Sequence, residues 1–216
     1  MERFKYPRTP HLPYSLSRTD DDKTLETDEQ FQGMYVVVTE KMDGENTTIY
    51  PDGYIHARSI DGTGYPWQSF LKQDVWNHIQ GLSANQRILG ENLYAKHSIG
   101  YKFDSIEDTF RVFGVAFTST DGADKMYSWW MVEHLSRILG FKTVPVIYKG
   151  TYDKERILNA FNNYCNTLNR EVEGFVVRNY EAFNTSNFSK NAAKFVRANH
   201  VQTDEHWRDH WVKNEF

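Results

Sequence analysis

Only one cysteine, Cys165, occurs in the 216 residues, so an internal disulfide cannot form and a reducing compartment suits the chain. No apolar run approaches the roughly 20 residues that a membrane span requires, and the N-terminal MERFKYPRTPHLPYS lacks the apolar core of a secretory signal. A cytoplasmic location is the expectation. Positive charge is also scarce. Lys and Arg number 25 against 29 Asp and Glu, for a formal net charge of −4, which argues against a protein that coats nucleic acid through a global basic field but leaves room for a local basic cleft. Internal repeats and low-complexity tracts are absent too.

What is present suffices for a core. Hydrophobic residues make up 39% and aromatics 15%, and the length suits one sizeable domain rather than two. Three of the six prolines and the acidic run Asp20, Asp21, Asp22 fall early in the chain. Residues 1–34 therefore read as an irregular arm, with the acidic run as a solvated turn, and residues 35–216 as the domain. MYVVVTEK reads as a buried strand from its β-branched run. NTTIY, PDG and YIHARS form a hairpin pattern around Pro51 and Gly53. WQSFLKQDVWNHIQG has helical spacing, with Phe70, Val75 and Ile79 facing inward. RILGENLY and FRVFGVAF are strand patterns. KMYSWWMVEHLSRILG reads as a helix closed by Gly140, followed by the strand TVPVIY and a helix over 154–168 that Asp153 caps. EVEGFVVRNY and AAKFVR are two more strands, and TDEHWRDHWV a short terminal helix. Hairpin-rich strands mixed with helices predict an α+β fold with largely antiparallel sheets.

One position in this pattern is anomalous. Lys41 ends a strand built for burial and is followed at once by Asp43 and Gly44. A lysine is a nucleophile only when neutral, and its ordinary pKa near 10.4 leaves very little of it so at pH 7. Desolvation at the strand's rim and neighbouring cations would lower that pKa, and such a lysine can attack phosphorus. Asp43 and Gly44 would then form a tight turn that aims the side chain into a cleft, with Gly44 admitting close approach to a ligand. A lysine flanking an ordinary β-turn is the plainer alternative.

The block EKMDGEN, with Lys41 preceded by Glu40 and followed by Met42 and Asn46, resembles the nucleotide-binding motif of the covalent nucleotidyltransferases, and most closely that of the ATP-dependent RNA ligases. Five further blocks follow in that family's order, so the resemblance spans residues 35–197. It implies two largely antiparallel sheets with flanking helices around an ATP cleft, and it implies that Lys41 becomes adenylated. HARS would place Arg58 on the ribose or phosphate, LGENLY Glu91 on the ribose, and RVFGVAF Phe113 against the base. VEGFVVR would place Glu173 at a divalent metal, magnesium or manganese, and AAKFVR would place Lys194 on the α-phosphate. Glu40, Met42 and Asn46 would line the nucleotide site. The chemistry is coherent: a base needs an apolar slot with a π-face, a triphosphate needs cations as pyrophosphate leaves, and magnesium, which keeps most of its waters, needs few protein carboxylates. Taken singly, Phe113 could as well be core, Glu91 and Glu173 turn residues, and Arg58 a surface residue.

The closing block departs from the Lys-x-Lys pattern of many relatives. Val196 stands at the second position and Arg197 one further, with Lys190 a third candidate; strand alternation puts Lys194 and Arg197 on opposite faces. Only 19 residues follow Arg197, too few for the separate C-terminal domain by which many ligases grip nucleic acid. The expected partners are RNA, as nicked duplex or single-strand ends, and a protein that stands in for that domain. Capping-type chemistry with GTP, DNA nick sealing, and a non-catalytic nucleotide or RNA-end binding module are the rivals. His206 and His210, with His200 upstream, have a spacing that can hold zinc, although HWRDHW equally reads as a packing helix. Trp129 and Trp130 read as packing residues, and Cys165 has no evident base partner.

Overall fold

The computed structural model describes residues 2–18, 22–198 and 210–216, so His200, His206 and most of the expected terminal helix lie outside the described residues. The β-branched run of β1 (Tyr35–Lys41) is buried at every position from Val36 to Glu40, because β1 is central in a four-stranded sheet. Its neighbours are β8 (Val146–Thr151) and β9 (Gly174–Asn179), and β11 (Ala192–Val196) lies beyond β9. All three pairings are antiparallel. Period-2 alternation divides the side chains of β1. Val36 and Val38 pack with Phe175, Val177, Phe195 and the inner face of α3 (Lys154–Asn166), where Ile157 and Phe161 are buried. Val37 faces the other way, into a larger core.

That second core belongs to a seven-stranded sheet. β2 (Glu45–Ile49) and β3 (Ile55–Ala57) form the expected hairpin, then β4 (Gln86–Asn92), β5 (Phe110–Thr118), β6 (Asp124–Met126) and β10 (Phe183–Asn184) follow outward, with β7 (Lys142–Thr143) parallel to β5. α1 (Ser69–His78) and α2 (Trp129–Ile138) contribute Leu71, Val75, Trp129 and Val132 to this core. Two local readings change. In α1 it is Leu71, not Phe70, that is buried beside Val75; Phe70 is half-buried and stacks on Tyr94. The helix expected from Lys125 begins only at Trp129, because Lys125 and Met126 pair with β10 and β5 while Ser128 accepts the Met131 N–H as N-cap. Asp153 caps α3 through the Arg156 N–H. Gly140, at φ 78°, supplies the left-handed residue that ends the α2 segment. A short helix, α4 (Phe188–Asn191), leads into β11.

Among its described residues the N-terminal arm has one 3-10 turn, Glu29–Phe31, and isolated bridges at His11 and Thr24, yet it is not peripheral. Leu12 and Phe31 are fully buried in the α3-side core, and the Leu12 N–H donates to the Lys194 carbonyl while the Lys194 N–H donates to that of Pro10.

Gly174 marks the tightest crossing in the small sheet. A β-carbon there would lie 1.9 Å from the Phe195 carbonyl oxygen, which cannot give way without breaking the β9–β11 register. Gly174→Ala should therefore lower stability by about 2 kcal/mol or more, as overpacking does; denaturant unfolding with an unchanged midpoint would contradict this.

Candidate active site

The two sheets part at one end to leave a cavity of about 500 Å³, within the usual range of small-ligand sites. Strand alternation decides what enters it. From the small sheet come Thr39 and Lys41 of β1, Val176 and Arg178 of β9, and Lys194 of β11; from the large sheet come Asn46, Glu91 and Phe113. Asn46 and Glu91 are register partners across β2 and β4, and Glu91 in turn pairs with Arg111 of β5.

Lys41 sits opposite Gly174 in the ladder, which brings its Nζ 2.6 Å from the Glu173 carboxylate. The electrostatics differ from the sequence expectation. Burial pulls the ammonium's pKa down, but Glu173, Glu91 and Asp43 together outweigh it, so the net shift is upward. Carboxylates rather than cations dominate the surroundings of Lys41, and in this state it is held charged. Glu91 shows the reciprocal effect: burial first, then Glu173 and Asp43, push its carboxyl up to about 8 despite the opposing pull of Lys41.

The residues after Lys41 act on the protein. The Asp43 carboxylate accepts the Ser98 and Ile99 N–H groups, each at 2.8 Å, and clamps the loop after β4. Gly44 is needed because a β-carbon would lie 2.6 Å from the Asn92 carbonyl oxygen; the close approach is to neighbouring backbone as well as to the cleft it borders. Its N–H donates to Glu91 at 3.2 Å. Met42 is buried in the large core and borders the cavity.

Of the other expected contacts, Phe113 is half-buried at the cleft, edge-on to Tyr6 at 5.2 Å. Arg58 borders the cavity from an exposed position after β3. Asn46 Oδ1 is buried without a hydrogen-bond partner among the described residues, which leaves an acceptor for a bound ligand. Glu40 is different. Although it borders the cavity, its carboxylate takes two hydrogen bonds from Arg170, at 2.6 and 2.8 Å, and one from Tyr164. The side chain is fully committed within the protein.

The three candidates of the closing block separate by position. Lys194 lines the cavity and its Nζ lies 3.0 Å from Asp22, which also lines it, so part of the acidic run is engaged at the site rather than solvated. Arg197 instead pairs with Glu171, and Lys190 is exposed on α4; neither lines the cavity. Among the described residues no three His, Cys, Asp or Glu side chains cluster as a metal site, so a cation here would depend on Glu173 together with ligand and solvent oxygens. No described helix is long and apolar enough to cross a membrane.

The family model for RNA ligases matches residues 34–196. The chain belongs to the RNA ligase family. Among solved structures, an archaeal ATP-dependent RNA ligase matches with a TM-score of 0.58 at 18% identity, over 89% of this chain and 48% of its own. A mutant Naegleria gruberi RNA ligase with ATP and Mn matches with a TM-score of 0.52 at 19% identity, over 86% and 57% respectively. At such identities the likeness is one of fold, and the chain spans about half the length of these relatives. Comparison with curated proteins finds no match.

Sequence reasoning missed several residues of the cleft in this RNA ligase fold. Val176 and Arg178 follow Gly174 at a spacing of two, so alternation along EGFVVR was a usable signal. Arg178 is buried, donates to the carbonyls of Phe113 and Tyr127, and is lowered to about 10 by burial. Tyr6, Thr9 and Asp22 reach the cavity from the arm, and no local pattern announces them.

Two pH effects follow. Glu173→Gln removes a charge that raises the Lys41 pKa, so the onset of Lys41 labelling by an amine-reactive reagent, followed by peptide mass spectrometry, should move to lower pH. An unmoved onset would contradict the pairing. Folded Glu91 keeps its proton to about 8 while an unfolded glutamate loses it near 4.5, so its contribution to stability falls as pH rises through that window. Thermal unfolding of Glu91→Gln should gain on the parent protein between pH 5 and about 8.

Proposed function

We propose that the protein is an ATP-dependent RNA ligase that adenylylates itself on Lys41, transfers AMP to a 5′-phosphate end and seals that end to a 3′-hydroxyl. The observation that carries this is the convergence of Lys41, Lys194, Glu91 and Phe113, drawn from four separate chain segments, on one cavity of nucleotide size, with Glu173 paired to Lys41 beside it. Phe113 offers the base a π-face, and Val176 borders the same space. Glu91 and the unpartnered Asn46 Oδ1 provide polar contacts for the sugar and phosphate. Lys194 and Arg58 offset phosphate charge. Glu173 would hold magnesium or manganese, which would supply further neutralisation at the triphosphate.

Before attack Lys41 loses a proton to solvent, which requires the hold of Glu173 on the ammonium to weaken. Lys41 Nζ then forms a bond to the α-phosphorus as the bond to the β-phosphate oxygen breaks, and pyrophosphate departs with the electron pair. A 5′-phosphate oxygen next displaces the lysine from that phosphorus, and a 3′-hydroxyl displaces AMP from the activated end. Covalent catalysis thus divides one difficult step into easier ones. The acceptor steps rest on family membership and on RNA as substrate, and a protein partner could supply nucleic-acid grip.

Intact mass after incubation with ATP and magnesium tests the first step. The expected result is a gain of one AMP, reversed by pyrophosphate and absent in Lys41→Ala. A folded, nucleotide-free protein that gains nothing from ATP or GTP would instead be a nucleotide or RNA-end binding module.

A further inference from the structure

Lys194 is held from two directions by the N-terminal arm. Its backbone is bracketed, with its N–H donating to Pro10 and its carbonyl accepting from Leu12, both at 2.8 Å. The His11 between them donates its N–H to Lys23 and accepts from Leu25, so the chain returns at residues 23–25 to lie alongside residues 10–12, on the side away from β11. That return brings Asp22 to the Lys194 ammonium at 3.0 Å, with His11 Nε2 3.2 Å from the other carboxylate oxygen. His11 is 1% exposed, and its Nδ1 meets Ser15 Oγ at 2.7 Å; that hydroxyl also accepts the Val196 N–H. Burial, then Lys194, pull His11 down to about 4, so it is neutral at physiological pH and leaves the charge of Asp22 to its cationic neighbours.

A flexible lysine side chain loses much of its freedom when it is fixed on a phosphate. A carboxylate that already fixes it reduces that loss. We propose that the arm is a positioning element of the adenylation site, in which Asp22 holds the Lys194 ammonium in place to meet the α-phosphate. This rests on the self-adenylylation proposed above. Asp22 is a positioning residue: it acts on the nucleotide through Lys194.

The test is the rate of AMP-adduct formation by the 216-residue chain at several ATP concentrations, for the parent protein, Asp22→Ala and Asp22→Asn, with thermal unfolding measured in parallel. Misplacing a transition-state contact lowers the saturating rate, here by roughly tenfold to a hundredfold in Asp22→Ala, with half-saturation by ATP little changed. Asp22→Asn keeps an oxygen acceptor and should recover part of the rate. Merely structural damage would lower the unfolding midpoint of both variants alike. An unchanged rate in Asp22→Ala would overturn the proposal, and so would a faster one or tighter ATP half-saturation, since Asp22 would then be a competitor of the phosphate. A parent protein that forms no adduct overturns the ligase function itself, an outcome distinct from an active parent with an indifferent variant.

Discussion

The 2.6 Å contact between Lys41 and Glu173 joins the two strands on which the site depends. It is a consequence of register. β1 and β9 run antiparallel with Lys41 opposite Gly174, so the residue before Gly174 is delivered to the lysine as soon as the ladder forms. The same ladder buries Val36 and Val38 against α3 and turns Thr39 and Lys41 into the cleft. A slip of one residue would exchange those faces, placing an ammonium in the α3-side core and a valine where Lys41 meets the cleft. Register is thus a stability constraint and a chemical one together. Gly174, pressed against the Phe195 carbonyl, carries the constraint on to β11 and Lys194.

Much of this was legible in the sequence, for a physical reason. β-branched runs, a Pro-Gly hairpin and helix caps are local signals, and they located β1, the β2–β3 hairpin and α3. Pairing of sheets is not local. Lys125 and Met126 have a helix-compatible pattern but become a strand because β5 and β10 offer partners. Lys41 stood out by itself, as a lysine ending a buried strand, but Glu91, Phe113, Glu173 and Lys194 stood out only because several blocks occurred in the order of a known family. Their charges did not stand out. A rim lysine was expected to lie among cations, and only the three-dimensional proximity of Glu173, Glu91 and Asp43 reverses the sign. Glu40 makes the same point, since its adjacency to Lys41 says nothing about Arg170 and Tyr164 on the opposite face.

The turn after Lys41 depends on contacts equally remote in sequence. The Asp43 N–H donates to the Tyr101 hydroxyl, the Tyr101 N–H donates to Asn214, and the Asn214 amide donates to the Leu93 carbonyl. Arg170, which holds Glu40, lies over the Tyr101 ring at 4.8 Å. Residues just before and just after Lys41 are therefore fixed through a shared aromatic, on opposite sides of the strand end. With Lys194 bracketed by residues 10–12 and Lys41 steadied by Tyr101 and Asn214, the two lysines are aligned by segments outside the strands that carry them. Such alignment matters most for a reaction whose barrier depends on fixed charge around phosphorus, where preorganised groups are worth more than mobile ones. Under the self-adenylylation proposed above, a rigid frame around a lysine held in its charged form leaves nucleotide binding itself as the event that must shift the local field, which would tie activation of Lys41 to the presence of the nucleotide.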